Sequence, residues 1–126
     1  MLFDDRTGEE PRTADWVGWL LSSGSYLTIT VDLGTPQTIT DVAVVLRSET
    51  SASICYPDPV SVFVSPDGSD AMYMPMGSFD AVYDSDAVYG NMTARVSNPA
   101  GAVAMGVKIE LRLISQWLMI SEVEIN

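Results

Sequence analysis

The chain has 126 residues, with 17 Asp+Glu against 6 Lys+Arg and no His, for a formal net charge of −11 at pH 7. That is the length of one domain, residues 1–126, and at 47% hydrophobic residues it buries a core rather than staying disordered. The charge repels phosphate backbones and anionic lipid surfaces, and no apolar run approaches the ~18 residues of a membrane span, so nucleic acid and membrane insertion are excluded.

The missing histidines remove the commonest general base and the commonest transition-metal ligand. One cysteine, Cys55, allows neither an internal disulfide nor a cysteine zinc site. It sits in an apolar stretch without a basic neighbour in sequence and reads as a buried, inert thiol. Met1 is followed at once by Leu2-Phe3-Asp4-Asp5, with no basic or apolar leader, which reads as a domain excised from a larger protein.

Residues 1–25 read as loop, with Trp16 and Trp19 inside a polar, Gly- and Ser-containing stretch. From Tyr26 the pattern alternates strictly. Leu27, Ile29, Val31 and Leu33 fall on one face and Thr28, Thr30 and Asp32 on the other, which is a half-buried strand. Gly34-Thr35-Pro36-Gln37 turns the chain, and Thr38–Ser48 reads as a second strand with Val42, Val44 and Leu46 inward. A loop over Glu49–Pro59 surrounds Ile54-Cys55-Tyr56. Val60, Val62 and Val64 then alternate with Ser61, Phe63 and Ser65, and Ser65-Pro66-Asp67-Gly68 is a β-turn signal. Met72–Met76 is a weaker strand, which Pro75 confines to an edge or a strand end. After an acidic loop over 78–90 come a short strand, Asn91–Val96, and the longest alternation, Val103, Met105, Val107, Ile109, Leu111 and Leu113. Gln116-Trp117 interrupts it and Leu118–Ile125 closes the domain. No window carries a helical stripe. Seven or eight short strands with turn signals between them make an all-β sandwich or barrel.

Three segments carry a family resemblance: Ile29-Thr30-Val31-Asp32-Leu33-Gly34, then Tyr56-Pro57-Asp58-Pro59 running into Val60-Ser61-Val62-Phe63-Val64-Ser65-Pro66-Asp67-Gly68, and the closing Ser121-Glu122-Val123-Glu124-Ile125. With Leu2-Phe3-Asp4-Asp5 and the tryptophans ahead of them, they resemble the discoidin domain, also called the coagulation factor V/VIII C-type domain. Bacterial relatives of that domain include the family-32 carbohydrate-binding modules of glycoside hydrolases. The resemblance implies an eight-stranded antiparallel jelly-roll β-sandwich of galactose-binding type. It also implies non-enzymatic ligand binding by loops at one end, and a structural calcium near those loops. Animal members tie their ends with a disulfide, which one cysteine cannot form, so the resemblance points to the bacterial branch.

Several residues are candidates for these roles. Asp4, Asp5, Thr7, Thr13 and Glu122 offer the oxygens a calcium ion needs, the resemblance bringing Glu122 beside the acidic loop; the alternative is a solvated loop without metal. Trp16, Trp19 and Trp117 are candidates for stacking on a pyranose face or for ordinary core packing. Arg47, with Glu49 and Tyr56 in the following loop, is a candidate for paired hydrogen bonds to sugar hydroxyls or for a surface ion pair. No carboxylate pair stands out as catalytic. The expectation is a monomeric, non-catalytic module for a neutral glycan at a cell surface or in the diet. Its parent would be a secreted or cell-surface multidomain bacterial enzyme or adhesin; the alternative is a protein–protein or spacer module.

Overall fold

The computed structural model describes residues 17–20, 24–49, 54–57, 59–79, 89–114 and 116–126. Among these the strands are β1 (Val17–Leu20), β2 (Tyr26–Glu49), β3 (Val60–Ser65), β4 (Met74–Phe79), β5 (Tyr89–Arg112) and β6 (Trp117–Ile125), with one 3-10 turn at Asp70–Met72. The hydrogen-bonded order is β1-β6-β2-β5-β3-β4, with every strand pair antiparallel.

The two 24-residue strands make the architecture. Tyr26–Asp32 of β2 pairs with Gly106–Arg112 of β5, and β3 and then β4 extend that layer. Val42–Arg47 of β2 pairs with Asn91–Val96 of β5, and β6 and then β1 extend the other layer. The inner faces meet in one core: Val62, Ile109 and Leu111 from the first layer, Val44, Leu46 and Ile120 from the second, all buried. Among the described residues there are six strands where eight were expected. Because β2 and β5 each give one segment to either layer, six strands supply the eight segments of the expected sandwich.

Two bulges let the paired strands change layer. Between Asp32↔Gly106 and Gln37↔Ala104, Leu33–Pro36 stand opposite Met105 alone; between Ile39↔Ala102 and Asp41↔Ser97, Asn98–Gly101 stand opposite Thr40 alone. Each needs a residue at positive φ, supplied by Gly34 (φ 79) and Gly101 (φ 79). Asp32 pins the first, its Oδ1 accepting from Gly34 N at 2.8 Å. The sequence signals at Gly34–Gln37 and before Val103 thus mark kinks within pairing rather than strand ends. They also shift the phase of the long alternation. Ala104 is 0% exposed and Val103, expected inward, is 57% exposed.

A smaller slip shapes β6. Val45 pairs with Glu122 but Leu46 with Ile120, leaving Ser121 as the extra residue. Leu118 and Ile120 before the bulge, and Val123 after it, therefore reach the core. Without the slip Glu122 would point inward. β1 is a correction to the loop expected over 1–25: its four residues are too few to show a period. The expected edge strand is present as β4, last in the sheet order, with Pro75 inside it.

The turn after β3 forms as expected, and Asp67 organises it. Its Oδ1 accepts from Ser69 N at 2.9 Å and Ser69 Oγ at 2.8 Å, and lies 3.2 Å from Ser65 Oγ. The Ser69 amide, then the Ser69 hydroxyl, hold the Asp67 carboxyl below its ordinary 3.8. A carboxyl that is more acidic when folded stabilises the turn above its unfolded value, and loses that contribution as pH falls through the folded one. The Ser69 amide resonance is expected to titrate with a midpoint below 3.8, and Asp67→Asn to flatten the titration. A midpoint at or above 3.8 would contradict this turn geometry.

Candidate functional site

Arg47, Tyr56 and Trp117 gather at one end of the sandwich. Arg47 lies near the end of β2, paired with Asn91 on one side and Met119 on the other. The sequence reading offered a surface ion pair for it, yet Arg47 is only 7% exposed. Ile54 lies against this end: Ser48 Oγ lies 3.5 Å from Ile54 O, and Ile54 forms a parallel bridge with Trp117. Tyr56 packs against the main core. Burial pushes its phenol above 10.0, and the nearby Arg47 charge opposes that rise. Glu49 closes β2 opposite Tyr89. Cys55, expected to be buried, is half-buried between Ile54 and Tyr56.

The tryptophans do not form one platform. Trp19 pairs with Leu118 and packs on the main core, whereas Trp117 pairs with Leu20 and packs with Ile54, Met119 and Val45 on the other face of the layer. Gly18 makes the second arrangement possible. A Cβ there would meet Met119 Sδ at 2.7 Å, so its missing side chain admits the methionine. That role was invisible in the sequence, because it depends on the β1–β6 register. Trp16 lies outside the described residues.

Of the calcium candidates, Asp4, Asp5, Thr7 and Thr13 lie outside the described residues. Glu122 is 3% exposed on β6. A carboxylate that deep requires a compensating cation or hydrogen-bond donors. Among the described residues no three His, Cys, Asp or Glu side chains form a metal-sized group, and no helix is long and apolar enough to cross a membrane.

No protein-family model matches the chain, and no curated protein matches it. Solved structures do. A GH29 fucosidase of Ruminococcus gnavus, solved as a mutant in complex with fucose, is 17% identical with a TM-score of 0.62; the match covers 98% of this chain and 21% of that one. CBM32-1 from a family 31 glycoside hydrolase of Clostridium perfringens is 17% identical at TM-score 0.61, covering 95% of this chain and 86% of that module. This is the galactose-binding-like jelly roll of discoidin and CBM32 domains. The same jelly roll appears in an F-lectin (fucolectin) from striped bass (Morone saxatilis) serum, 15% identical at TM-score 0.61, covering 87% of this chain and 35% of the lectin. The chain thus has the length of a module and spans about a fifth of the fucosidase. At these identities the jelly roll itself is what is shared.

Among the described residues the jelly roll also holds a concavity that no sequence motif announced. Thr30, Asp32, Asp67, Gly68, Tyr73, Met105 and Gly106 enclose about 190 Å³ against the outer face of the first layer. It lies at the far end of that layer. Val60 pairs with Leu111 beside the Arg47 end, Ser65 pairs with Gly106 beside the cleft, and β3 between them is roughly 17 Å long at ~3.3 Å per residue.

Proposed function

We propose that this domain is a non-catalytic carbohydrate-binding module that recognises a neutral glycan at the end of the sandwich where Arg47, Tyr56 and Trp117 gather. The observation that carries the reading is the Arg47 charge beside the Tyr56 phenol, with Trp117 bridged to nearby Ile54, in a jelly roll shared with carbohydrate-binding modules and a lectin. A planar guanidinium offers paired donors to vicinal hydroxyls, and indole or phenol faces take the C–H groups of a pyranose ring. A net charge of −11 disfavours uronic and sulfated glycans.

The parent would be a secreted or cell-surface bacterial glycoside hydrolase or adhesin. There a weak module gains from tethering, which raises its effective concentration near the target. Calcium would be held by Asp4, Asp5, Thr7, Thr13 and the buried Glu122, and would order the acidic loop against β6. The half-burial of Trp19 against the core favours a second reading, a spacer that uses the fold without a sugar site.

A glycan array probed with the domain, with and without calcium, tests the proposal. The expected result is binding to a restricted set of neutral glycans, lost in Trp117→Ala. Chelation is expected to weaken binding and to lower the melting temperature. A folded domain with a blank array would support the spacer, and a melting temperature unmoved by chelation would remove the calcium.

A further inference from the structure

We propose that the cleft on the outer face of the first layer is a second saccharide subsite, taking a single neutral pyranose unit between Asp32, Asp67, Thr30, Tyr73 and Met105 above Gly106. It extends the carbohydrate-binding reading to a second surface, and its evidence is separate from that of the Arg47 end.

The two carboxylates are held in place before any ligand arrives. Asp32 Oδ1 accepts from the Gly34 amide, and Asp67 Oδ1 from Ser69 N and Oγ. Asp32 and Asp67 are both exposed, so each carboxylate also presents oxygen surface to a hydroxyl. Charged acceptors make the stronger hydrogen bonds, and fixed ones lose little entropy on binding. Thr30 adds a hydroxyl on an exposed strand face.

Tyr73 and Met105 supply apolar surface between these polar groups. The Lys108 ammonium stands 4.7 Å from the Tyr73 ring centroid and 5.1 Å from that of Phe63, and so fixes the tyrosine against the strand face. Gly106 keeps the floor open. A Cβ there would stand 2.6 Å from Tyr73 Oη.

Size and charge select the ligand. About 190 Å³ lies below the ~300 Å³ where pockets for drug-sized ligands begin. One sugar ring fits that scale and a chain of rings does not. Asp32, Asp67 and the neighbouring Asp70 make the site anionic, which repels uronate, sialate and sulfate. Tyr73 senses the same field: burial first, then Asp70 and Asp32, raise its phenol above 10.0.

Amide and methionine-methyl NMR of the whole 126-residue chain tests this. The probes are methyl galactoside, methyl glucoside, methyl fucoside and galacturonate. The Met105 methyl and the Gly68 and Gly106 amides are expected to shift saturably with at least one neutral glycoside and not with galacturonate. Asp32→Asn keeps the acceptor for Gly34 but replaces the open oxygen, and is expected to weaken binding at least about tenfold. Gly106→Ala narrows the floor and is expected to abolish binding. If Gly106→Ala does not fold, Thr30→Val takes its place, with a weakening of several-fold expected.

Arg47→Met leaves these shifts unchanged, because it acts at the opposite end. Movement of the cleft signals while the Trp117 indole stays still would retain this site and remove the other; the reverse pattern would retain only the Arg47 end. The proposal is overturned by the absence of saturable shifts with every neutral glycoside. Shifts that survive Asp32→Asn and the second cleft variant, or equal shifts with galacturonate, overturn it as well.

Discussion

Ile109→Ala is expected to destabilise the domain by about 3–5 kcal/mol, the upper range for large-to-small substitutions at buried aliphatic positions. Ile109 is 0% exposed and stands in the middle of the first layer, paired with Ile29 on β2 and Val62 on β3. Hydrogen-bond ladders on both sides hold its backbone, and Val107 and Leu111 are equally buried along the same strand. The cavity therefore has little room to collapse, which is the condition for a large cost. Urea denaturation checks the value, and a thermal melt is expected to fall by roughly 4 °C per kcal/mol. Leu27→Ala, at a half-buried position of the same sheet, is the comparison and should cost markedly less. A loss below about 1 kcal/mol at Ile109 would contradict a single core shared by both layers.

The second large effect concerns Arg47. Arg47→Met keeps the apolar stem and removes the guanidinium, so the buried volume stays filled. Glycan affinity is expected to fall at least about tenfold, since hydrogen bonds made by a charged donor contribute about 1.5–3 kcal/mol. Tyr56 provides a reading independent of ligand. The Arg47 charge holds its phenol down against burial, so removing that charge should push the phenol still higher in an alkaline absorbance titration. Retained folding with lost binding assigns the guanidinium to the ligand. Loss of folding in Arg47→Met would assign it to structure and weaken the proposed site.

Much of the first layer was legible in the sequence. Leu27, Ile29 and Val31 keep strict alternation, as do Val60, Val62 and Val64, and nothing interrupts either run. Elsewhere the signal failed where register depends on distant residues. Val103 reads as inward by counting from Val107, but the bulge opposite Met105 shifts the phase, and that bulge is set by Gly34 some seventy residues earlier. Glu122 and Val123 exchange faces because Ser121 is the extra residue of the β6 bulge. At the Arg47 end, the residue types were readable, and so was the loop containing Tyr56. The approach of Ile54 to Trp117 was not, since it joins segments far apart in the chain through a single bridge. The cleft was illegible for the same reason. Asp32 reads as the outer face of a strand and Asp67 as a turn residue, and only folding brings the two to one concavity.

β2 and β5 cross between the layers without losing each other, and their pairing offset at Tyr26↔Arg112 is restored at Glu49↔Tyr89. The layers consequently share backbone at the place where a clam-shell protein would carry its hinge. Parting them would mean tearing a continuous ladder, not turning a few torsion angles. A ligand at either proposed site would therefore meet a preformed surface, with adjustment left to side chains. A domain of this build would hold a ligand as a rigid fixture does, and would pass force between its ends without yielding in the middle.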